Sequence, residues 1–137
     1  RLTKSKTILV MNSDVFWDQY TSKSLKGLIN KFDAKIMDSF LMTTKIKNTF
    51  GYSGNGDFIK NKKNQIERFD NNKAKIPLVY CGVQIVKRNQ FDNYDSNVFS
   101  ANKIWDNNIK HKKLYTFMTN KKFNHVGTIE SVIGLNK

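Results

Sequence analysis

An apolar run that stops at a carboxylate is the pattern in this chain best suited to chemistry. Thr7–Asp18 reads TILVMNSDVFWD, and Ile8–Met11 gives way at once to Asn12, Ser13 and Asp14. Four apolar residues with β-branched members and no Gly or Pro predict a buried strand. In open α/β sheets, ligands settle in the crevice beyond the carboxyl ends of the strands. Asp14 is therefore the leading candidate for a catalytic carboxylate, as a ligand for a divalent metal that escorts phosphates. The same three residues also describe a polar turn, or a cap for the helix that follows.

Glycines mark two further places. FGYSGNGDF, Phe50–Phe58, sets Gly51, Gly54 and Gly56 close together, which no regular element interior tolerates cheaply. They suit tight turns or a close backbone approach to a ligand, and a hairpin turn explains them equally. The pattern is neither GxGxxG nor GK[ST], so it supports neither a dinucleotide-binding fold nor a P-loop. Gly82 interrupts LVYCGVQIV, Leu78–Val86, the longest apolar run and the best core strand. A glycine inside a strand calls for a bulge or for something packed against the backbone. Gln84 in the same run needs a partner if buried.

The bulk numbers narrow the class. A length of 137 residues suits one domain, and 39% hydrophobic with 12% aromatic residues excludes a disordered chain. Lys and Arg total 24 against 11 acids, a formal charge of +13. That charge admits nucleic acid as a partner. It is mostly scattered lysine, however, and no aromatic-and-basic RNA-binding signature accompanies it, so no specific nucleic acid is expected. Cys81 is the single cysteine and cannot close an internal disulfide, which makes the cytoplasm the default compartment. In an apolar run it reads as a small buried hydrophobe. No run approaches the roughly 20 apolar residues of a membrane span, and RLTKSK at the start lacks the apolar core of a signal peptide. The sequence opens without Met and is expected to be a fragment.

The elements that must position these residues follow in order. After the basic lead-in Arg1–Lys6 and the first strand, Ser22–Phe32 predicts a helix with Leu25, Leu28, Ile29 and Phe32 on its apolar face, capped by Thr21 or Ser22. Ser39–Thr44 is a second strand, Asp38 standing just before it, and the strand–helix–strand order predicts a parallel pair. Phe58–Phe69 holds two short strands around a polar turn at Asn61–Asn64. Asp70–Lys75 is a charged loop ending at Pro77, and Phe91–Phe99 is a loop rich in Asn and Asp. Ser100–Lys110 is a helix with Ser100 as N-cap and Ile104, Trp105 and Ile109 inward. His111 is a solvated residue at its end, favoured by the helix dipole. Leu114–Met118 is a strand. Phe123–Val132 runs through Gly127 into a last helix capped by Thr128, with Glu130 or Ser131 close behind.

Five stretches, in this order, resemble the sugar-phosphate nucleotidyltransferase family. They are VMNSD (Val10–Asp14), GNGDF (Gly54–Phe58), YCGVQI (Tyr80–Ile85), FSANKIWDNNI (Phe99–Ile109) and HVGT (His125–Thr128). The likeness is closest to its mannose-1-phosphate guanylyltransferase-like and N-acetylmuramate 1-phosphate uridylyltransferase-like bacterial branch. It implies a Rossmann-like, three-layer α/β/α nucleotidyltransferase fold with a mixed sheet. It also implies attack of a sugar-1-phosphate oxygen on the α-phosphorus of a nucleoside triphosphate, giving a nucleotide sugar and pyrophosphate for cell-envelope polysaccharide or peptidoglycan precursors. Mg²⁺ neutralises the phosphates in that chemistry. By the resemblance Asp14 holds the metal, Asn12 lies against substrate, Gly56 and Asp57 face the sugar, Gly82 lets the sugar approach its strand, and Asn102 is a sugar or phosphate contact.

Two departures from the family are evident. The family's Gly-rich loop, roughly LAAGxGxRxxPxxxxxPKP, is absent, and with it most of a nucleotide-binding half. Residues 1–137 thus resemble the C-terminal, sugar-binding portion of one domain, and a separate chain carrying the N-terminal half is an expected partner. Where much of the family has an Asp as second metal ligand, this chain has His125: a variant ligand, a phosphate contact, or a loop histidine with a structural hydrogen bond. The expected function is an enzyme portion inactive alone. The alternatives are a non-catalytic remnant or partner subunit of a split enzyme and, further off, a basic nucleic-acid-binding domain. An exposed strand edge is also expected, leading to a dimer, to aggregation, or to poorer order near Thr7–Met11.

Overall fold

The computed structural model describes residues 4–16, 21–71, 75–92, 94 and 98–135. Expectations that fall on Arg1–Thr3, on Trp17 and Asp18, and on parts of the 70–75 and 91–99 loops lie outside the described residues, as does the residue before the first helix.

Among the described residues, nine strands and three α-helices form a three-layer α/β/α arrangement. The strands are β1 Thr7–Met11, β2 Val15–Phe16, β3 Ser39–Lys45, β4 Thr49–Phe50, β5 Phe58–Lys60, β6 Ile66–Arg68, β7 Leu78–Lys87, β8 Leu114–Met118 and β9 Phe123–His125. The helices are α1 Thr21–Lys31, α2 Ala101–Lys110 and α3 Ile129–Leu135. The main sheet is mixed, in the order β6-β5-β7-β3-β8, with β1 also paired to β7. β7 runs antiparallel to β1, β3 and β5, whereas β3 and β8 are parallel.

Alternation along β3 and β7 divides the core between the two faces. Phe40 and Met42 on β3, with Val79, Cys81, Val83 and Ile85 on β7, meet Leu28 of α1 in one cluster. Leu41 faces the other way and joins Phe58, Ile66, Leu114 and Trp105 of α2. A period of two in both strands thus dictates a helix on each face. Leu28 is fully buried, and Leu25 and Phe32 pack against the first cluster, but Ile29 is half exposed, so the predicted apolar stripe is narrower than its spacing suggests.

Two expectations need correcting. β1 is not buried: Leu9 and Met11 are exposed, because among the described residues β1 pairs only with β7 and lies at the rim of the sheet. β1 and β3 are parallel in direction but not neighbours. Both lie antiparallel to β7, which sits between them, so the crossover through α1 spans an inserted strand. Sequence order fixes the sense of such a pair, not what is later threaded through it.

The predicted elements otherwise stand in place. β5 and β6 flank the polar turn, and β7 is the long core strand. The Ser100 side chain accepts the Asn102 N–H, and His111 closes α2 with Nδ1 2.8 Å from the Asn107 carbonyl oxygen. Thr128 and Ser131 cap α3 reciprocally, each side chain taking the other's backbone N–H at 3.2 Å. A second, three-stranded sheet, β2-β9-β4, was not expected, and its strands are only two or three residues long.

Candidate functional site

The small sheet carries the site's most polar pair. Val15 pairs with His125 across antiparallel β2 and β9, and the Val126 N–H donates to the Asp14 carbonyl at 2.8 Å. These bonds bring the ends of two distant segments together, and Nε2 of His125 comes to lie 3.1 Å from Oδ2 of Asp14. Oδ1 of Asp14 is shielded from water and has no hydrogen-bond partner among the described residues. Asp14 is thus followed by a strand, not a helix, so it is not the helix cap considered above.

His125 opens onto a cleft of about 360 Å³, whose lining does not include Asp14. Asn12, Asp57, Gly82, Asn102 and His125 all line it, so five of the residues singled out in sequence share one wall-to-wall space. Val15, Tyr52, Arg68, Tyr80, Trp105 and Phe123 complete the lining. Tyr80 and Trp105 lie within the stretches that carried the family resemblance, so a signal for them existed. Arg68 and Tyr52 stand outside those stretches, and only the pairing of β5 with β6 and β7 brings Arg68 to the cleft.

The carboxylate of Asp57 braces the floor. Its Oδ2 accepts the Tyr80 N–H at 2.8 Å, and its Oδ1 accepts the Tyr52 hydroxyl at 3.1 Å. The Tyr52 oxygen in turn accepts the Gly56 N–H at 3.1 Å. Burial, with the Asp57 charge second, raises the Tyr52 pKa and keeps this phenol a donor. Gly56 does not line the cleft. At φ +116° it holds a conformation that side chains rarely adopt, and a Cβ there would strike Pro77. Gly82, at φ +69°, lies at a β-bulge, where Cys81, Gly82 and Val83 of β7 oppose Met42 alone. The space a Cβ would fill is held by Val15 and Asn12, and the Asn12 N–H donates to the Gly82 carbonyl at 2.8 Å. The close approach that Gly82 permits here is to the chain's own β1–β2 corner.

Aromatic rings form the far wall. Trp105 meets Tyr80 edge-on at 4.9 Å, and its indole N–H donates to Gln84 Oε1 at 2.8 Å, the partner that buried Gln84 required. The Tyr80 hydroxyl is buried without a partner among the described residues. Burial raises its pKa, with Cys81 and Asp14 adding to the effect and Gln84 opposing it, so the hydroxyl stays protonated. Cys81 is buried under β7, its pKa also raised by burial, and has no path to act as a nucleophile.

Among the described residues no group of three or more His, Cys, Asp or Glu side chains could hold a metal ion. A site here would have Asp14 and His125 as its protein donors. One carboxylate fits a Mg²⁺ ion whose other positions are filled by phosphates and water. An imidazole suits softer divalent ions better.

No family profile matches the chain, and no curated protein matches it. Solved structures do. HddC from Yersinia pseudotuberculosis is 12% identical with a TM-score of 0.62, the match covering 97% of this chain and 55% of that one. HddC has also been solved in complex with GMP-PN. The inositol-1-phosphate CTP transferase from T. maritima is 10% identical with a TM-score of 0.65, covering 95% and 53%. A Bacillus anthracis protein assigned as a glucose-1-phosphate thymidylyltransferase, solved with a sucrose, is 12% identical with a TM-score of 0.64, covering 97% and 54%. This chain has the fold that these proteins share and spans about half the length of each.

Proposed function

We propose that residues 1–137 are the sugar-binding portion of a nucleotidyltransferase. The enzyme transfers a nucleoside monophosphate from a nucleoside triphosphate to a sugar 1-phosphate. An oxygen of the sugar phosphate bonds to the α-phosphorus, the bond from that phosphorus to the bridging oxygen breaks, and pyrophosphate leaves. The product is a nucleotide sugar, made in the cytoplasm for envelope polysaccharide or peptidoglycan precursors. The observation that carries this reading is the cleft itself: His125, in contact with Asp14, joins Asn12, Asp57 and Asn102 in lining a space walled by Tyr80 and Trp105. Polar groups beside aromatic faces suit a sugar, which is hydroxylated at its rim and apolar across its ring.

The chain's part is positioning and electrostatics. Asn12 and Asn102 orient sugar hydroxyls beside the Tyr80 and Trp105 rings. Asp57 acts from behind by fixing β7 and Tyr52. Asp14 would hold Mg²⁺, and His125 would orient that carboxylate or serve as a ligand or a phosphate contact. Mg²⁺ when bound supplies neutralisation of the phosphate charge at the strand ends.

A second reading is a non-catalytic remnant or partner subunit of a split enzyme. Pyrophosphate release separates the two. The chain alone is expected to release none from any nucleoside triphosphate and sugar 1-phosphate. Mixed with a polypeptide carrying the Gly-rich half, it is expected to turn over, and Asp14→Asn in that mixture is expected to be inactive. No turnover in the mixture favours the remnant, and appreciable turnover by the chain alone contradicts both.

A further inference from the structure

The carboxyl ends of two strands and the lead-in to a third gather lysines that the sequence scatters. Lys45 closes β3, Lys60 closes β5, Lys62 lies in the turn after β5, and Lys75 leads into β7. Strand pairing makes these segments neighbours: Leu78, at the start of β7, pairs with Lys45 on one side and with Phe58 on the other. All four lysines line one open cleft of about 550 Å³. Lys60 is shared with an adjoining cleft, which adds Lys31 and Lys63. No Asp or Glu lines either cleft, although Glu67 and Asp70 lie in or just after β6. Neither cleft shares a lining residue with the one beside His125.

Charge alone does not choose a partner, but the apolar residues set among the lysines do. Ile76, Leu78 and Met118 share the lining of the larger cleft. Leu78 is buried, whereas Ile76 stands 65% exposed between Lys75 and Pro77. The ring of Pro77 confines Ile76 to extended backbone. Pro77 itself fills the space that a Cβ on Gly56 would take, so the isoleucine is presented from a braced position. An exposed apolar side chain ringed by lysines suits an anionic bilayer. The apolar group enters the headgroup boundary, and the lysines follow the lipid phosphates on flexible stems. Nucleic acid would gain nothing from Ile76. Among the described residues lining this cleft there is no aromatic ring for a base to stack on and no Arg to fork onto a base edge.

We infer that this face docks on the surface of an anionic lipid bilayer, with Ile76 seated among the headgroups and Lys45, Lys60, Lys62 and Lys75 facing their phosphates. The face acts independently of the acceptor role proposed for the other cleft.

Cosedimentation of the full chain with vesicles at physiological salt tests this. One set of vesicles holds phosphatidylglycerol and phosphatidylcholine in equal parts, and the other phosphatidylcholine alone. The chain is expected to partition onto the mixed vesicles about tenfold or more strongly than onto the neutral ones. Lys62→Gln and Lys75→Gln should each weaken partitioning about fivefold, the scale of one lysine at an anionic surface. Ile76→Ser should weaken it by a similar factor, through lost apolar burial. All three side chains are exposed, so melting followed by circular dichroism should be unchanged in each variant. Lys103→Gln, on α2 and outside both clefts, removes the same charge and should leave partitioning nearly intact. No preference for the mixed vesicles overturns the inference, as does full binding by Ile76→Ser. A loss in Lys103→Gln equal to that in Lys62→Gln also overturns it, since net charge alone would then drive binding. Displacement of the chain from the vesicles by duplex DNA at the same salt overturns it in favour of nucleic acid.

Discussion

Nε2 of His125 and Oδ2 of Asp14 lie 3.1 Å apart although 111 residues separate them in sequence. Two short strands, β2 and β9, make the meeting, and they also carry Val15 and Phe123 into the core. Both side chains are over a third exposed, 37% and 44%, so the pair contributes little to folding. Asp14→Asn is expected to lower unfolding free energy by no more than about 1 kcal/mol, measured by urea denaturation. A loss several times larger would mark the pair as structural.

Gly82 is expected to behave in the opposite way. Its φ of +69° disfavours any side chain, and a Cβ would come within 2.6 Å of Val15 Cγ2 and 3.2 Å of Asn12 Cβ. Gly82→Ala should cost about 2 kcal/mol through strain and displacement of the β1–β2 corner. It should also weaken ligand binding, because Asn12 moves with that corner. Denaturation and ligand titration on one sample check both, and an Ala variant as stable as the parent would show that the bulge relaxes freely.

Alkaline pH should loosen the fold from a definite starting point. Burial raises the pKa of Cys81 and of Tyr80 in the folded chain. Below the ordinary thiol value of 9.0 the groups are protonated whether the chain is folded or not, and their burial contributes in full. Above it the unfolded chain ionises first, so stability falls as pH rises, with the tyrosine joining from about its ordinary value of 10.0. Urea denaturation between pH 7.5 and 10.5 should show this decline, and Cys81→Ala should delay its onset by about one pH unit. A flat profile would mean that neither group is shielded.

What sequence made legible, and what it hid, follows from the range of the interactions. Local signals served well: the period of α2, the Ser100 cap and the long apolar run of β7 rest on neighbours in the chain. The strand-tip position of Asp14 was legible for the same reason. The burial of β1 was misjudged because apolar residues also occupy an edge, and only pairing tells rim from centre. β2, β4 and β9 escaped because strands of two or three residues carry no periodicity. Arg68 was invisible because its position depends on the register of β6 against β5 and on stacking with Trp105. Gly56 and Gly82 were correctly marked as special, yet the atoms that crowd them, in Pro77, Val15 and Asn12, belong to the chain itself.

Charge gathers elsewhere in a way that the scattered sequence concealed. Lys31, Lys60 and Lys63 line one cleft and Lys45, Lys60, Lys62 and Lys75 an adjoining one, with no Asp or Glu in either lining. These clefts should bind duplex DNA weakly and without sequence preference, with affinity falling steeply as salt rises and vanishing near physiological strength. Fluorescence anisotropy across a salt series checks this. Tight binding that persists at physiological salt would restore a nucleic-acid role.

The acceptor site itself is tested most directly by a nuclear magnetic resonance titration of the full chain with glucose 1-phosphate, with and without Mg²⁺, repeated on Asp14→Asn. The account predicts shifts confined to the backbone amides of Asn12, Tyr80, Gly82 and Asn102 and to the Trp105 indole N–H. It also predicts that Mg²⁺ strengthens binding in the parent and has no effect in Asp14→Asn. Shifts centred on the lysine-lined clefts, or a Mg²⁺ effect that Asp14→Asn leaves intact, would contradict it.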